Sequence, residues 1–246
     1  MPNVVFISPK GGAGKTTAAV SLALGLSERG QRVALIDADP NKPLVRWAGL
    51  PNRCEGITVH PAPTVADIRD AAREAQRHSP HWTILDTEGT ERGAAVLAAL
   101  RFDLALTPLA GSHLELAEAI KAAEIVRAFG GRSARPIPHR ALLNRIPAAI
   151  KPKLLKSVVA ELREAGIQIL PTPLLEKEAF RALFHLGGGF DVLQQNAVHG
   201  ASGARENARA YVSDVVELVS GVAPDAAPEL HIGNSRASSQ FGVSRN

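Results

Sequence analysis

A glycine-rich turn between an apolar run and a helical pattern constrains this chain more than any other feature. The run NVVFIS (3–8) is typical of a buried strand, and TTAAVSLALGLSERG (16–30) has the apolar spacing of a helix that ends at Gly30. Between them lies SPKGGAGKTT, whose backbone N–H groups and helix start would face an anion. A strand, a glycine loop and a helix in this order predict a phosphate-binding site.

The loop departs from the usual G-x-x-x-x-G-K-[ST] pattern at its start. With Gly14-Lys15-Thr16 as its end, the first glycine falls where this chain has Pro9, and a second lysine, Lys10, follows. Lys15 is expected to reach the β- and γ-phosphates of a nucleotide, and the Thr16 hydroxyl to hold Mg²⁺. The predicted nucleotide-binding residues of the loop are Gly11, Gly12, Ala13, Gly14, Lys15, Thr16 and Thr17.

Apolar runs alternate with segments of helical period along most of the chain. The predicted strands are 3–8, 32–39, 57–61, 82–89, 104–109, 140–147 and 167–174, and the predicted helices are 16–30, 64–78, 112–129, 151–165, 176–186 and 203–220. This alternation predicts an α/β fold with a mostly parallel sheet and helices on both faces. The segment from about 221 to 246 is polar and unperiodic, so we expect a single domain over 1–220 and a disordered tail over 221–246.

Two further predicted strands end in carboxylates. ALIDADPN (34–41) places Asp37 and Asp39 on the same face of a strand end, where both can meet one metal–water cluster. WTILDTEG (82–89) places Asp86 at the end of another strand. Adjacent like charges repel without a cation, so Asp37 and Asp39 favour a bound cation over a purely structural role.

These motifs together resemble those of one family. K-G-G-x-G-K-T-T (10–17) resembles the deviant Walker A motif of the ParA/MinD superfamily, ALIDADPN resembles its Walker A′ motif, and WTILDTEG resembles its Walker B region. The resemblance covers residues 1 to about 220. It implies a P-loop NTPase fold of the SIMIBI type and a Mg²⁺-dependent ATPase that hydrolyses ATP to ADP and phosphate.

The resemblance also assigns roles to residues. Lys10 would cross to the nucleotide of a partner subunit in an ATP-sandwiched homodimer, where a lysine from another chain can neutralise charge on the transferring phosphate. Asp39 would position the attacking water, so the catalytic residues would be Lys10, Lys15 and Asp39. The Mg²⁺ ion and its water shell would be held by Thr16, Asp37 and Asp86.

Later segments resemble the region around the base. Asn144 is the candidate for adenine contact, and the backbone near Pro173 would line the same pocket, although a buried asparagine at a strand end is often a capping residue. Many relatives continue the Walker B aspartate as D-T-P-P, whereas this chain has Asp86-Thr87-Glu88-Gly89. That difference leaves open whether Glu88 alters the rate of hydrolysis.

Other members of the superfamily fit less well. Iron proteins need cysteine ligands, and Cys54 is the single cysteine of 246 residues. MinD-like proteins carry an amphipathic membrane helix that the tail lacks, and no stretch approaches the roughly 18 apolar residues that span a bilayer. The phosphate loop begins almost at Met1, as in the small ParA type. DADPNKPLVRWAGLP and DTEGT are similar to ParA-like proteins of the VirC type, found with conjugative DNA transfer.

This resemblance implies an ATP-bound dimer that binds DNA non-specifically. Residues 132–164 hold eight arginines and lysines against two glutamates, a clustering that attracts polyanions, although a solvated helix face would show it too. The predicted DNA contacts are Lys151, Lys153, Lys156, Arg163, Arg181, Arg205 and Arg209. We expect a cytoplasmic, nucleoid-associated protein that is stimulated by a ParB-like or other activating partner and is not attached to a membrane.

Two alternative functions stay open from the sequence. One is a positioning ATPase whose cargo is a protein assembly, such as a chemoreceptor cluster or a conjugation pore. The other is a metabolic enzyme of the same fold that uses ATP to activate a small substrate.

Overall fold

A parallel sheet forms the centre of the protein, whose computed structural model describes residues 1–89, 93–130, 136–147 and 152–221. The strands are β1 (Asn3–Phe6), β2 (Val33–Ala38), β3 (Ile57–Pro61), β4 (Trp82–Thr87), β5 (Leu104–Leu109) and β6 (His139–Leu143). They lie in the order β3-β2-β4-β1-β5-β6, and each pairing is parallel. The predicted α/β fold with a parallel sheet is confirmed.

Helices supply the crossovers that parallel strands require. They are α1 (Lys15–Ser27), α2 (Pro43–Ala48), α3 (Asp67–Gln76), α4 (Gly93–Ala99), α5 (His113–Gly130), α6 (Pro152–Glu164), α7 (Glu178–Leu186), α8 (Phe190–Gln195) and α9 (Ala201–Ser220). In the part of the chain that the structure describes, none of these helices has the length and apolar character needed to cross a membrane.

Alternate strand residues face opposite sides of the sheet, and helices cover both sides. On β1, Val4 and Phe6 pack in a core that includes α1, α7, α8 and α9, whereas Val5 packs in a second core with α3, α4 and α5. A third apolar cluster, formed by β6, α5 and α6, continues this second face. The predicted covering of both faces is therefore confirmed.

The predicted strand at 167–174 is wrong. This segment runs beside β6 and pairs with it through an isolated parallel bridge between Ala141 and Ile169 rather than through a continuous ladder. Pro171 and Pro173 have no N–H group to donate to a ladder, so continuous pairing cannot form along the segment.

Three short helices differ from the sequence prediction. The sequence does not predict α2, α4 or α8, because six or seven residues are too few for an apolar period to appear. The predicted tail over 221–246 lies outside the described residues from position 222 onward, so its disorder stays a prediction.

Parallel register brings distant carboxylates to one edge of the sheet. Asp37 on β2 is the register partner of Asp86 on β4, and Asp86 is in turn the partner of Phe6 at the end of β1. The glycine loop leaves β1 at this same edge, and α1 begins directly after it. Since ligands of open parallel sheets bind outside the carboxyl ends of the strands, the candidate site lies here.

Candidate nucleotide-binding site

Left-handed glycines shape the loop between β1 and α1. Gly12 and Gly14 have φ angles of 80° and 86°, which L side chains rarely adopt. A Cβ atom on Gly14 would also collide with the side-chain amide of Asn144. The N–H of Ala18 donates to Gly14 O at 3.0 Å, so the N–H groups that precede it in α1 have no helical acceptor. The loop therefore has the form of an anion-binding turn.

The Lys15 ammonium lies inside this turn rather than in solvent. Lys15 is 6% exposed, and its Nζ donates to Lys10 O at 3.2 Å. Burial lowers the pKa of the ammonium, and three nearby carboxylates oppose that shift: Asp86, Asp39 and Glu88. A polyphosphate in the loop would offer this ammonium charged acceptors, which form stronger hydrogen bonds than the Lys10 carbonyl.

Asp86 and Thr16 form a buried pair beneath the loop. Asp86 is fully buried, and its Oδ2 accepts a hydrogen bond of 2.6 Å from Thr16 Oγ1. Its other oxygen, Oδ1, is buried without a hydrogen-bond partner among the described residues. Burial raises the pKa of Asp86 to about 7, although the Thr16 hydrogen bond and the Lys15 charge both lower it.

An orphaned carboxylate oxygen beside a threonine hydroxyl fits Mg²⁺, which takes oxygen ligands and keeps part of its water shell. Thr16 and Asp86 would hold the ion. The described residues contain no group of three His, Cys, Asp or Glu side chains placed to bind a metal.

Asp37 and Asp39 have different surroundings at the end of β2. Asp37 is buried, and its oxygens accept N–H groups from Val45 at 2.9 Å and from Asp39 at 3.3 Å, which caps the first turn of α2. Burial raises the pKa of Asp37, and these backbone hydrogen bonds oppose the shift. Asp39 is half-buried, and its Oδ1 accepts the Asn41 N–H at 2.8 Å. The metal role of Asp37 and the water-positioning role of Asp39 stay predictions.

Lys10, the second lysine of the loop, has an exposed side chain, whereas its backbone packs against the segment after β4. The Lys10 side chain is exposed and makes no ion pair within the described ranges. A Cβ atom on Gly89 would collide with the backbone of Lys10 and Gly11. The glycine of D-T-E-G thus lets the segment after β4 touch the start of the phosphate loop. Sequence reasoning noted this motif as a departure but did not anticipate the contact.

Two residues that directly follow β6, Asn144 and Arg145, contact the backbone of the phosphate loop. Asn144 is 2% exposed, and its Nδ2 donates to Ala13 O at 2.9 Å. Its Oδ1 accepts the Arg145 N–H at 3.0 Å, and Arg145 Nη1 donates to Gly12 O at 2.7 Å. Asn144 therefore holds the phosphate loop through its Nδ2 group and positions Arg145, whose side chain holds the loop at Gly12. Its predicted contact with adenine stays a prediction.

Helix α9 secures the segment around Pro173. Asn207 donates through Nδ2 to Pro173 O at 2.8 Å and accepts the Leu175 N–H through Oδ1 at 2.9 Å. Asp214, about two helical turns further along the same face of α9, accepts the Thr172 N–H at 2.7 Å. The predicted base-lining backbone is thus fixed by a helix more than thirty residues away, for which the sequence carries no local signal.

The predicted DNA contacts on α6 lie on one face of the sheet. Lys156 and Arg163 are exposed on this helix, whose apolar side packs in the third cluster. Lys151 and the side chain of Lys153 lie outside the described residues. The candidate surface on α6 therefore rests on its two described basic residues.

The predicted DNA contacts on α7 and α9 lie on the opposite face of the sheet and have carboxylate partners. Arg181 lies 2.7 Å from Glu176. Arg205 and Arg209 reach the two oxygens of Glu28 at 2.7 and 2.8 Å. Such partly exposed ion pairs are weak, so a DNA phosphate could replace the carboxylate. The DNA contacts of these three arginines stay predictions.

Comparison with known proteins identifies the family. A family model described as VirC1 protein matches residues 1–223. Protein ParA of Rhizobium radiobacter is 31% identical over 215 residues, which cover 86% of this chain and 94% of that protein. Maintenance of carboxysome distribution protein A of Gloeobacter kilaueensis is 32% identical over 167 residues, covering 67% and 72% of the two chains.

A solved structure supports the fold. The Cyanothece McdA(D38A)–ATP complex has a TM-score of 0.67 at 18% identity and covers 88% of this chain and 96% of that chain. The expected P-loop NTPase fold is confirmed, and so is the resemblance drawn from the loop and strand-end motifs. The chain belongs to the VirC1 protein family, within the ParA/MinD superfamily of deviant Walker A ATPases.

Proposed function

We propose that this protein is a Mg²⁺-dependent ATPase that dimerises across two ATP molecules, binds DNA non-specifically in that state and hydrolyses ATP slowly. Hydrolysis, stimulated by a ParB-like or other partner, would release the DNA and so partition or position plasmid, chromosomal or transferring DNA. The protein would act in the cytoplasm on the nucleoid.

The observation that carries this proposal is the contrast between the two lysines of the loop. Lys15 is buried beside Asp86 within its own subunit, whereas the Lys10 side chain is exposed and makes no ion pair with any described residue. An ammonium held at the edge of a formed phosphate loop is free to reach the nucleotide of a second copy. There it would stabilise negative charge on the transferring phosphoryl group.

The remaining steps use residues of the same edge. When bound with ATP, Mg²⁺ would supply positive charge that neutralises the phosphates. Thr16 and Asp86 would hold that ion, and Lys15 would bind the phosphates. Asp39, whose Oδ2 has no hydrogen bond within the described part of the chain, would orient a water molecule towards the terminal phosphate.

The test measures DNA binding with ATP, with ADP and without nucleotide, at two salt concentrations. We expect binding only with ATP and a steep loss with salt, because each phosphate that is neutralised releases counterions. Lys10→Ala should keep ATP binding by the monomer but lose both the dimer and DNA binding. Lys15→Ala should lose ATP binding itself, which separates the two lysines. Tight ATP binding without DNA binding under any condition would exclude the DNA-linked function.

A triple variant locates the DNA surface. Lys151, Lys153 and Lys156 changed together to alanine should weaken DNA binding while the ATP-dependent dimer persists in light scattering. If the triple variant binds DNA like the wild type, the α6 surface is not the contact.

A second candidate function is positioning of a protein assembly. It is favoured by the similarity to a protein named for the maintenance of carboxysome distribution. Co-purification from the native cell with ATP and with ADP distinguishes the two candidates, since a protein cargo would be retained after nuclease treatment.

A further inference from the structure

Glu28, the C-cap residue of α1, lies between two arginines of α9. Its Oε1 is 2.7 Å from Arg205 Nε, and its Oε2 is 2.8 Å from Arg209 Nε. The Glu28 side chain is 20% exposed, against 27% for Arg205 and 53% for Arg209. One carboxylate thus faces two guanidinium groups of another helix: it accepts a hydrogen bond from the solvent-exposed Arg209, whereas Arg205 Nε is buried and forms no hydrogen bond among the described residues.

A glutamate is locally unfavourable at this position. The last carbonyl groups of a helix give its C-terminal end a partial negative charge, which favours cations and disfavours carboxylates. The last turn of α1 carries no basic residue that would compensate. The end of α1 therefore gives no local reason for a glutamate at position 28, whereas the nearby arginines of α9 do.

A third arginine adds to the positive charge of this edge. Arg29 donates through Nη2 to Ser213 Oγ at 2.6 Å and to Arg209 O at 3.3 Å. With Glu28 and Arg209 it lines an open cleft of about 330 Å³ between α1 and α9. Three arginines and one glutamate thus lie at this edge, and the excess of positive charge among these four side chains suits an anion.

We propose that Glu28 is an internal competitor for the phosphates of nucleic acid. A carboxylate and a phosphate present similar paired acceptor oxygens to a guanidinium group, so Glu28 occupies the position that a DNA phosphate would take on the exposed Arg209. The competition keeps this edge weak in a single subunit, and the doubled surface of an ATP-bound dimer overcomes it. This inference rests on the proposed DNA binding.

The test compares wild type, Glu28→Gln and Glu55→Gln on a 30-base-pair duplex of arbitrary sequence, with Mg²⁺ and ATP. Glutamine keeps the shape of Glu28 and removes its charge. We expect Glu28→Gln to bind DNA up to about fivefold more tightly, the scale of freeing the exposed Arg209 from its ion pair. The slope of log K against log salt should steepen by about 0.9, because one more phosphate is neutralised.

Glu55 provides a matched control for the general effect of removing a negative charge. Its carbonyl accepts a hydrogen bond of 2.8 Å from Ser27 Oγ, so it lies beside the same end of α1. It is exposed and forms no ion pair in the described ranges. Glu55→Gln should change DNA affinity less than about twofold, since it frees no arginine.

A double-mutant cycle shows whether the gain acts through the arginines. Arg209→Gln should reduce DNA affinity more in the Glu28→Gln background than in the wild type, because there no carboxylate competes with DNA for the guanidinium group. Thermal unfolding and ATP binding of each variant verify that the fold is intact.

The outcomes separate this inference from the proposed function. If the wild type binds DNA with ATP but Glu28→Gln binds equally or less tightly, Glu28 only positions the arginines and the inference is overturned. An equal gain in Glu55→Gln also overturns it, since general charge then explains the effect. If neither the wild type nor Glu28→Gln binds DNA, the proposed function itself fails.

Discussion

Replacement of Asp86 by asparagine is expected to stabilise the nucleotide-free protein, more at high pH than at low pH. Burial raises the pKa of Asp86 from its ordinary value of 3.8 to about 7. A carboxyl that binds its proton more tightly in the folded state contributes stability that is present below pH 4 and is lost as the pH rises through 7. At about 1.4 kcal/mol per pKa unit, the cost of the buried charge approaches about 4 kcal/mol at pH 8.

The asparagine has a cost of its own. Its carbonyl oxygen can still accept the Thr16 hydroxyl, but its NH₂ group takes the position of Oδ1, which has no partner among the described residues. An unpaired buried donor costs about 1–3 kcal/mol, so the net gain at pH 8 is about 1–3 kcal/mol. At pH 5 the Asp86 carboxyl is already protonated in the folded state, so it destabilises the wild type by less than about 2 kcal/mol. Replacement by asparagine then brings no net stabilisation.

Urea unfolding of wild type and Asp86→Asn at pH 5 and pH 8, without nucleotide or Mg²⁺, measures this difference. In thermal scans each kcal/mol should raise Tm by about 2–4 °C for a domain of this size. Asp70→Asn is the control, because the Asp70 side chain is 76% exposed in its pair with Arg73 and should change stability by less than about 0.5 kcal/mol at either pH. A less stable Asp86→Asn at pH 8, or equal shifts at both pH values, would refute the reasoning.

Two further substitutions test the packing around the loop. Asn144→Ala removes the donor to Ala13 O, and it should lower affinity for a fluorescent ATP analogue about tenfold in equilibrium titration, because the loop loses a buried hydrogen bond; unchanged affinity would contradict the supporting role of Asn144. Gly25→Ala places a Cβ atom 2.6 Å from Val212 Cγ2 and should lower the free energy of unfolding by about 1–3 kcal/mol. Val212→Ala in the same chain should recover part of that loss in urea unfolding, and simple additivity of the two changes would argue against the contact.

The phosphate loop could be predicted because its chemistry is contiguous. The strand, the glycine turn, the lysine and the helix start follow one another over 3–17, so one short segment contains the whole phosphate-binding site. The strand-end carboxylates Asp37 and Asp86 were also predictable, because every parallel strand delivers its carboxyl end to the same edge. The strand predicted at 167–174 failed for the opposite reason, since its pairing depends on N–H groups that its prolines lack.

Local patterns are therefore enough to predict the fold class, the family, the phosphate loop and the strand-end carboxylates beside it. The contacts that support the loop depend on how distant segments pack. Asn144 contacts Ala13 across 131 positions, Gly89 touches the backbone of Lys10, and Glu28 meets the arginines of α9. The side-chain amide, the missing Cβ and the carboxylate look ordinary in sequence. Their function depends on which distant atoms the packing of strands and helices places beside them.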